Sequence, residues 1–539
     1  MSPPRMSEAL LVPDAVGVPR ARQMLERASW AARAFATYDR ASVLRIAEAV
    51  AQVAEDNAQK YAEWAVRETG FGVVEHKVIK NRLCSRGILD TYRDHDYVSP
   101  RVDAERKMVE VPRPAGVILA LTPSTNPVST VYFKILLALL TRNAIVISPH
   151  PFAKESCSDA ARVLGEAAVA AGAPDGVVQV VEEPSIPLID ALMTDERTSV
   201  IVATGGVPVV RAAYSSGTPA IGVGPGNVPV LVDATADPAK AARRIVDSKS
   251  FDNSVLCTNE SVLIVTEQAA TALLRHLKQA GAYLLAPDER DRVAAMLFPG
   301  GRFDIRFVGK DASWIAAEAG LRVPNRTRVL LAPFDLVVPE EPLAHEKLCP
   351  VLGLVRVPTA RRGIDAARAV LRLSGRGHSA AIHSTDPQVI MEYGAAVEVL
   401  RVAVNVGNSL GSAGLETNLA PTMTIGTGFF GRSSVGENLH PSHLVQWTRL
   451  AYNRDPAEPF GDFTGLIPWQ ASAGRNGDRG SVPPYPVASN QRGDHPATAS
   501  GGGQAYSPAR SELNGADASA LREQIRRLIL EELSQLAGG

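Results

Sequence analysis

From residue 19 to residue 91 apolar side chains recur at spacings of three and four with charges between them, as in LERASWAARAFATYDRASVLRIAEAVAQVAEDNAQKYAEWAVRETG. This period predicts amphipathic helices laid against another layer of the fold. The next segment, ERKMVEVPRPAGVILALT over 105–122, first alternates and then turns wholly apolar. It predicts a hairpin edge that leads into a buried strand. Beyond it the two periods take turns, with helices expected over 129–141 and 155–171 and strands over 144–148, 177–181 and 200–203. Strands alternating with helices predict a mostly parallel sheet covered on both faces, whose ligands sit at the carboxyl ends of the strands.

A second alternating unit is expected over 234–404. Residues 405–450 show little period until HPSHLVQWTRLAYN. From 454 to 515 the chain fills with Gly, Pro, Ser, Asn and Ala, including PPYP and SGGG, and lacks the apolar density that would offset ordering entropy. A flexible linker is the expectation there. Over 516–539, Leu521, Ile525, Leu528, Ile529, Leu533 and Leu536 fall on one helical face, with Asp517 and Ser519 available as caps. A helix this short is marginal alone, so its apolar stripe calls for a partner.

At 539 residues the chain exceeds what one core usually holds. Its formal charge of -1, without a basic block or stripe, argues against nucleic acid or an anionic membrane as partner. The longest apolar run, over 131–140, is broken by Lys134 and is too short to span a bilayer, which makes it a buried helix. Four scattered cysteines and no signal-peptide pattern point to a reducing cytosol. No metal-ligand spacing stands out, so no metal is expected.

Chemistry concentrates in three places. Cys257, in SFDNSVLCTNESVLIV, is a lone thiol before a Thr-Asn-Glu turn; it is a candidate nucleophile, against the bland reading of a small buried hydrophobe. Thr204, Gly205 and Gly206 follow the strand-like SVIV and open a helical run, so backbone N–H groups there can approach a pyrophosphate. The literal G-x-G-x-x-G at Gly426, Gly428 and Gly431 is rejected as a dinucleotide fingerprint, because turn formers and no helix follow it.

The segments LTPSTNPVSTVYFKILLALLTRNAIVISPHPFAK, ATGGVPVVRAAYSSGTPAIGVGPGNVPVLVD, HEKLCPVLGL and GHSAAIHSTD resemble, in this order, the aldehyde dehydrogenase superfamily, and more narrowly its coenzyme-A-acylating branch. The likeness runs from about residue 20 to 453. It implies an α/β fold with two doubly wound parallel-sheet domains and a small β oligomerisation element, followed by the linker and terminal helix. The dinucleotide domain would take residues 1–233, with about 99–113 lending an oligomerisation hairpin. The catalytic domain would take 234–404, and 405–453 would return to the first domain and add a pairing strand.

The resemblance also assigns roles. Asn126, in the turn PSTNP, would donate with the Cys257 N–H to an oxyanion. Glu346 would hold the nicotinamide ribose, while Cys349 beside it is read as packing. His378 is a candidate for taking the proton of an incoming thiol, with a satisfied structural histidine as the alternative. Gly224, together with Thr204, Gly205 and Gly206, would border the dinucleotide.

Two departures matter. Hydrolytic members carry a water-activating glutamate at the start of the motif aligned with GVGPGNVP, whereas this chain has none over 222–227. Water attack on a thioacyl enzyme should then be slow, which favours a thiol acceptor. Where relatives hold the adenosine ribose with a Lys and a Glu, this chain has Ser148, Pro149, His150 and Pro151, so NAD is expected with NADP left open.

The expected activity is reversible oxidation of a small aldehyde to acyl-CoA, with coenzyme A as co-substrate. A hydrolytic dehydrogenase and a catalytically silent cargo or scaffold protein are the alternatives. A homo-oligomer, dimer or tetramer, is implied. The terminal helix resembles the peptides that load enzymes into bacterial microcompartments, which makes a shell protein a partner and a compartment within the cytoplasm the location; a helix capping a neighbouring subunit is the rival. Only linker and helix follow residue 453, so no iron-dependent alcohol dehydrogenase half is expected.

Overall fold

The computed structural model describes residues 17–469. The terminal helix over 516–539 and the linker beyond Trp469 lie outside the described residues.

The amino-terminal periodicity resolves into helices Gly17–Phe35, Arg40–Asp56 and Ala58–Thr69. Asp39 starts the second by accepting from the Ser42 N–H at 2.8 Å, and Gly70, at φ 69°, ends the third in a left-handed conformation. Their apolar stripes join one core with the first parallel sheet.

Strand β1 (Arg101–Asp103) pairs antiparallel with β2 (Met108–Pro114), forming the expected hairpin. The chain then enters β3 (Val117–Leu121), buried at every position. Next come β4 (Ala144–Ser148), β5 (Val178–Val180), β6 (Val200–Thr204) and β7 (Ala220–Val223). They form a parallel sheet in the order β5-β4-β3-β6-β7. Helix Pro127–Leu140 is buried along its whole length against this sheet. Its Lys134 satisfies its ammonium without a counter-ion, donating to the carbonyls of Leu121 at 2.7 Å and Val202 at 2.8 Å. That contact pins together the carboxyl ends of β3 and β6, where the cleft opens.

The second sheet starts with β8 (Val228–Val232), ahead of the boundary expected at 234. It adds β9 (Glu260–Thr266), β10 (Ala282–Leu284), β11 (Val329–Pro333), β12 (Val351–Val357), β13 (Ala380–His383) and β14 (Val402–Val404). The order is β10-β11-β12-β9-β8-β13-β14, parallel throughout. Alternation sorts its residues to opposite faces: Leu231 and Ile264 join one core, Val230 and Leu263 the other. Finally β15 (Val445–Ala451) returns to β2, antiparallel, and Arg101 stacks on its Trp447 at 3.8 Å.

Residues 426–431 form a turn rather than a strand-to-helix junction: Gly428 has φ 52°, and only the short 3-10 segment Phe429–Gly431 follows. The rejection of a dinucleotide fingerprint there agrees with this geometry.

Candidate active site

Between β7 and β8 the chain crosses from one sheet to the other through Gly224, Pro225, Gly226 and Asn227. A cleft of about 840 Å³ opens at this crossing, within the size range of small-ligand sites. One wall is built by the carboxyl ends of β3, β4, β6 and β7, the other by the segment around Cys257 and by Glu346. Asn126, Ser148, Pro149, His150, Thr204, Gly205, Gly206, Gly224, Cys257 and Glu346 all border it. Of the candidates read from the sequence only His378 does not. It lies fully buried behind Gly226, where an added Cβ would come within 3.5 Å of its Cε1.

Cys257 is the one cysteine of the four that is not buried. Three consecutive residues before it, Asp252, Asn253 and Ser254, hold left-handed φ values of 49°, 49° and 65°. Asp and Asn tolerate this region best, and the run persists because its neighbours over-determine it. The Asp252 N–H donates to His76 Nδ1 at 2.8 Å, and Asp252 Oδ1 accepts from the Val73 N–H at 2.7 Å. Asn253 Nδ2 donates to the Gly309 carbonyl at 2.9 Å. After the cysteine, Asn259 closes the turn by accepting from the Leu256 N–H at 2.9 Å, and Thr258 Oγ1 donates to the Ser409 carbonyl at 2.8 Å. The Thr-Asn-Glu sequence thus fixes the turn that carries Cys257 at the start of β9.

Asn126 is the N-cap residue of helix Pro127–Leu140, yet its side chain makes no capping bond. Its Oδ1 accepts from Lys80 Nζ at 2.6 Å instead. Lys80 also bonds Asp252, and Lys77 reaches the same carboxylate at 3.1 Å. All three charges are sealed from solvent. Burial pushes the Asp252 carboxyl up, but the two ammonium groups outweigh it and hold the group below its ordinary range. Burial lowers Lys80 to about 8, partly opposed by Asp252.

Burial and the neighbouring Glu346 push the Cys257 thiol up to about 12, while the Arg401 guanidinium pulls the other way. Because Cys257 opens onto the cleft, the direction of this shift governs its chemistry more than its extent. Glu346 is itself raised to about 8 by burial, against the Gly226 N–H it accepts and the nearby Lys249 and Lys347. Arg401 donates to the carbonyls of His378 at 3.0 Å, Gly426 at 2.6 Å and Gly436 at 2.7 Å, so no carboxylate neutralises it there. Burial lowers His378 to about 3 and keeps its imidazole neutral; Nδ1 meets Ser379 Oγ at 3.0 Å and Nε2 has no partner.

The wall opposite Cys257 fits a dinucleotide. Gly206 caps helix Val207–Ser215, whose amino terminus borders the cleft. Cβ atoms added at Gly205 or Gly206 would meet only Val209 or Pro208, at 3.7 Å, and one at Gly224 would meet nothing within 4 Å. Side chains there would fill the cleft, whereas bare backbone admits a phosphate. Exposed Ile186, Val207 and Val209 add an apolar surface.

A family model described as the aldehyde dehydrogenase family matches residues 4–298, more than half of the chain. The chain belongs to the aldehyde dehydrogenase family. It is similar to the bifunctional aldehyde-alcohol dehydrogenase of Escherichia coli, 37% identical over 434 residues, covering 79% of this chain and 49% of that protein. The chain thus spans about half the length of the curated relatives it matches first. Two solved structures are similar over nearly their whole length. The acetylating aldehyde dehydrogenase of Geobacillus thermoglucosidasius superposes with a TM-score of 0.81 at 37% identity, covering 82% of this chain and 98% of that one. The propionaldehyde dehydrogenase of the Clostridium phytofermentans fucose utilisation bacterial microcompartment gives 0.73 at 27% identity, covering 80% and 97%.

Three residues of this aldehyde dehydrogenase site were invisible to sequence reasoning: Lys80, Asp252 and Arg401. Lysines 77 and 80, three apart in helix Val74–Arg82, carry no local sign of a buried partner. The sole hint was that Asp252 stands five positions before the candidate nucleophile.

Proposed function

We propose that the protein is a CoA-acylating aldehyde dehydrogenase that converts a small aldehyde and coenzyme A to acyl-CoA, reversibly. The observation that carries this reading is the turn at Gly226. It abuts the Cys257 backbone, where hydrolytic members would present a glutamate nearby, and it holds no carboxylate. Glu346 borders the cleft too, but burial raises its carboxyl to about 8, so at neutral pH it is largely protonated, and it accepts from the Gly226 N–H. Water beside a thioacyl group on Cys257 therefore lacks a base, and a thiol is the better acceptor.

The Cys257 sulfur adds to the aldehyde carbon, and its proton passes to solvent in the cleft as the C–S bond forms. The carbonyl electrons move to oxygen, which Asn126 Nδ2 and the Cys257 N–H stabilise; one such donor is typically worth about a hundredfold to a thousandfold in rate. As the C=O bond re-forms the carbon gives up hydride, for which NAD or NADP, when bound, would supply the acceptor, and the acyl group stays on Cys257 as a thioester. Thr204, Gly205, Gly206 and Gly224 would take its phosphates, Ser148, Pro149 and His150 its adenosine side, and Glu346 its nicotinamide ribose. The thiol of coenzyme A then adds to the Cys257 thioester with loss of its proton. The same donors hold that second oxyanion, and Cys257 departs as thiolate. His378 does not border the cleft and, lowered to about 3, is too weak a base for the incoming thiol's proton, so the proton passes to solvent in the cleft.

The test is dinucleotide reduction with a panel of short aldehydes, with and without coenzyme A. Turnover should require the thiol and vanish in Cys257→Ala. Equal rates without coenzyme A would establish the hydrolytic reading, and no turnover at all the silent one.

A homo-oligomer built on the β1-β2-β15 sheet also fits, since most of β15 is exposed in the single chain. Association with a microcompartment shell rests on the apolar stripe over 516–539 and on the likeness to a microcompartment enzyme. Among the described residues no helix is long and apolar enough to cross a membrane. Removing residues 510–539 should leave turnover intact and abolish co-purification with shell proteins; lost turnover would instead assign that segment to the enzyme's own assembly.

A further inference from the structure

We propose that Lys80 is a positioning residue: its ammonium fixes which end of the Asn126 amide faces the reacting carbonyl and couples that amide to the loop carrying Cys257. The inference rests on the reading of Asn126 as oxyanion donor.

An ammonium group has three donors and no acceptor. The 2.6 Å contact from Lys80 Nζ to Asn126 therefore requires Oδ1 on the lysine side, because the opposite flip would set two donors against each other. Nδ2 is thereby turned away from Lys80, to where Thr125 Oγ1 lies at 3.3 Å. The backbone of Asn126 is anchored separately, its carbonyl accepting from Thr130 Oγ1 at 2.6 Å. Backbone anchor and ammonium together leave the amide one orientation.

The remaining contacts of Lys80 explain why its charge is available. Lys77 and Lys80 share a single carboxylate, Asp252, so the buried cluster carries two positive charges and one negative. The uncompensated charge falls on Asn126 Oδ1, which draws electron density from the amide and strengthens Nδ2–H as a donor. Asp252 also begins the left-handed run that leads to Cys257. One sealed ammonium, 1% exposed, thus touches the group that receives charge in the reaction and the segment that carries the sulfur.

A double-mutant cycle with Lys80→Met and Asn126→Ala in the full chain tests this. Asn126→Ala should slow kcat by roughly a hundredfold to a thousandfold. Lys80→Met should slow it by about 10- to 100-fold, the scale of supporting contacts at such sites, with KM for aldehyde and dinucleotide unchanged. The double variant should be no slower than Asn126→Ala alone. Lys80→Gln, which keeps a polar donor beside Asp252, serves if the methionine variant misfolds; it should show a smaller loss with the same non-additivity. Losses that multiply, or no loss from either Lys80 variant, would overturn the role of Lys80 while leaving Asn126 in place. An unimpaired Asn126→Ala enzyme would instead remove the oxyanion reading, and this inference with it.

Discussion

Gly226 and Cys257 meet at the backbone: a methyl group added to Gly226 would lie 2.0 Å from the Cys257 carbonyl oxygen. No side-chain rotation relieves that clash, because the obstacle is main chain. Gly226→Ala must therefore push the turn that carries Cys257 out of place and disturb the N–H that Glu346 accepts. Overpacking of this kind costs about 1–3 kcal/mol. The expected result is a melting temperature lowered by several degrees and kcat reduced at least about tenfold, since small displacements of reacting groups carry such penalties. Thermal denaturation and initial rates check both, and an unaltered kcat would refute the close approach.

Alkylation by iodoacetamide reads the Cys257 thiol directly, because Cys84, Cys157 and Cys349 are buried. A thiol raised to about 12 holds far less thiolate at pH 8 than a free cysteine near 8.5. Alkylation of the ligand-free enzyme should be slower than that of a free thiol at pH 8. It should also keep climbing with pH above about 8.5, where that of a free thiol levels off. A plateau below pH 8 would mean that a preformed thiolate exists.

Replacing Glu346 by glutamine separates its two effects. Ionised Glu346 raises the Cys257 thiol, so the neutral amide should lower it and speed alkylation. The gain should be largest above pH 8, where Glu346 of the natural chain is charged, and should fade below it. Dinucleotide affinity should fall at the same time if this side chain holds the ribose. A Glu346→Gln enzyme alkylated more slowly at pH 9, measured by mass spectrometry, would contradict the electrostatic assignment.

What the sequence revealed and what it hid divide along local and non-local physics. Strand β4 was readable to the residue, because its apolar run is bounded by Arg142-Asn143 and by Pro149. The glycines at 205 and 206 were readable because a turn needs no distant partner, whereas Gly224 came from the resemblance alone. Strand β8 was missed as the start of the second sheet: its run VPVLV matches the preceding strands in composition, and only pairing with β9 and β13 assigns it. The lysines at 77 and 80 were hidden for the same reason, since nothing local marks them as buried until Asp252 arrives from 175 and 172 positions away. His378 had the right residue type, but no periodicity tells that Gly226 stands between it and the cleft.

Lys134 offers the last test, one of the fold rather than the chemistry. Burial holds its ammonium well below the ordinary lysine value of 10.5, with no carboxylate to restore it. In the unfolded chain Lys134 keeps its proton up to that ordinary value, whereas in the folded chain it gives the proton up earlier. Between the two values the unfolded state binds more protons, so stability must rise with pH, by at most about 1.4 kcal/mol per unit from this one group. Lys134→Met removes the titration and leaves the Leu121 and Val202 carbonyls without their donor. The variant should be less stable by about 1–3 kcal/mol, the cost of unsatisfied buried polar groups. Its stability should also rise less steeply towards pH 10.5 than that of the natural chain. The other buried lysines titrate in both proteins, so the difference between their pH profiles isolates Lys134. Parallel profiles from denaturant unfolding would show that this ammonium stays charged between the strand ends.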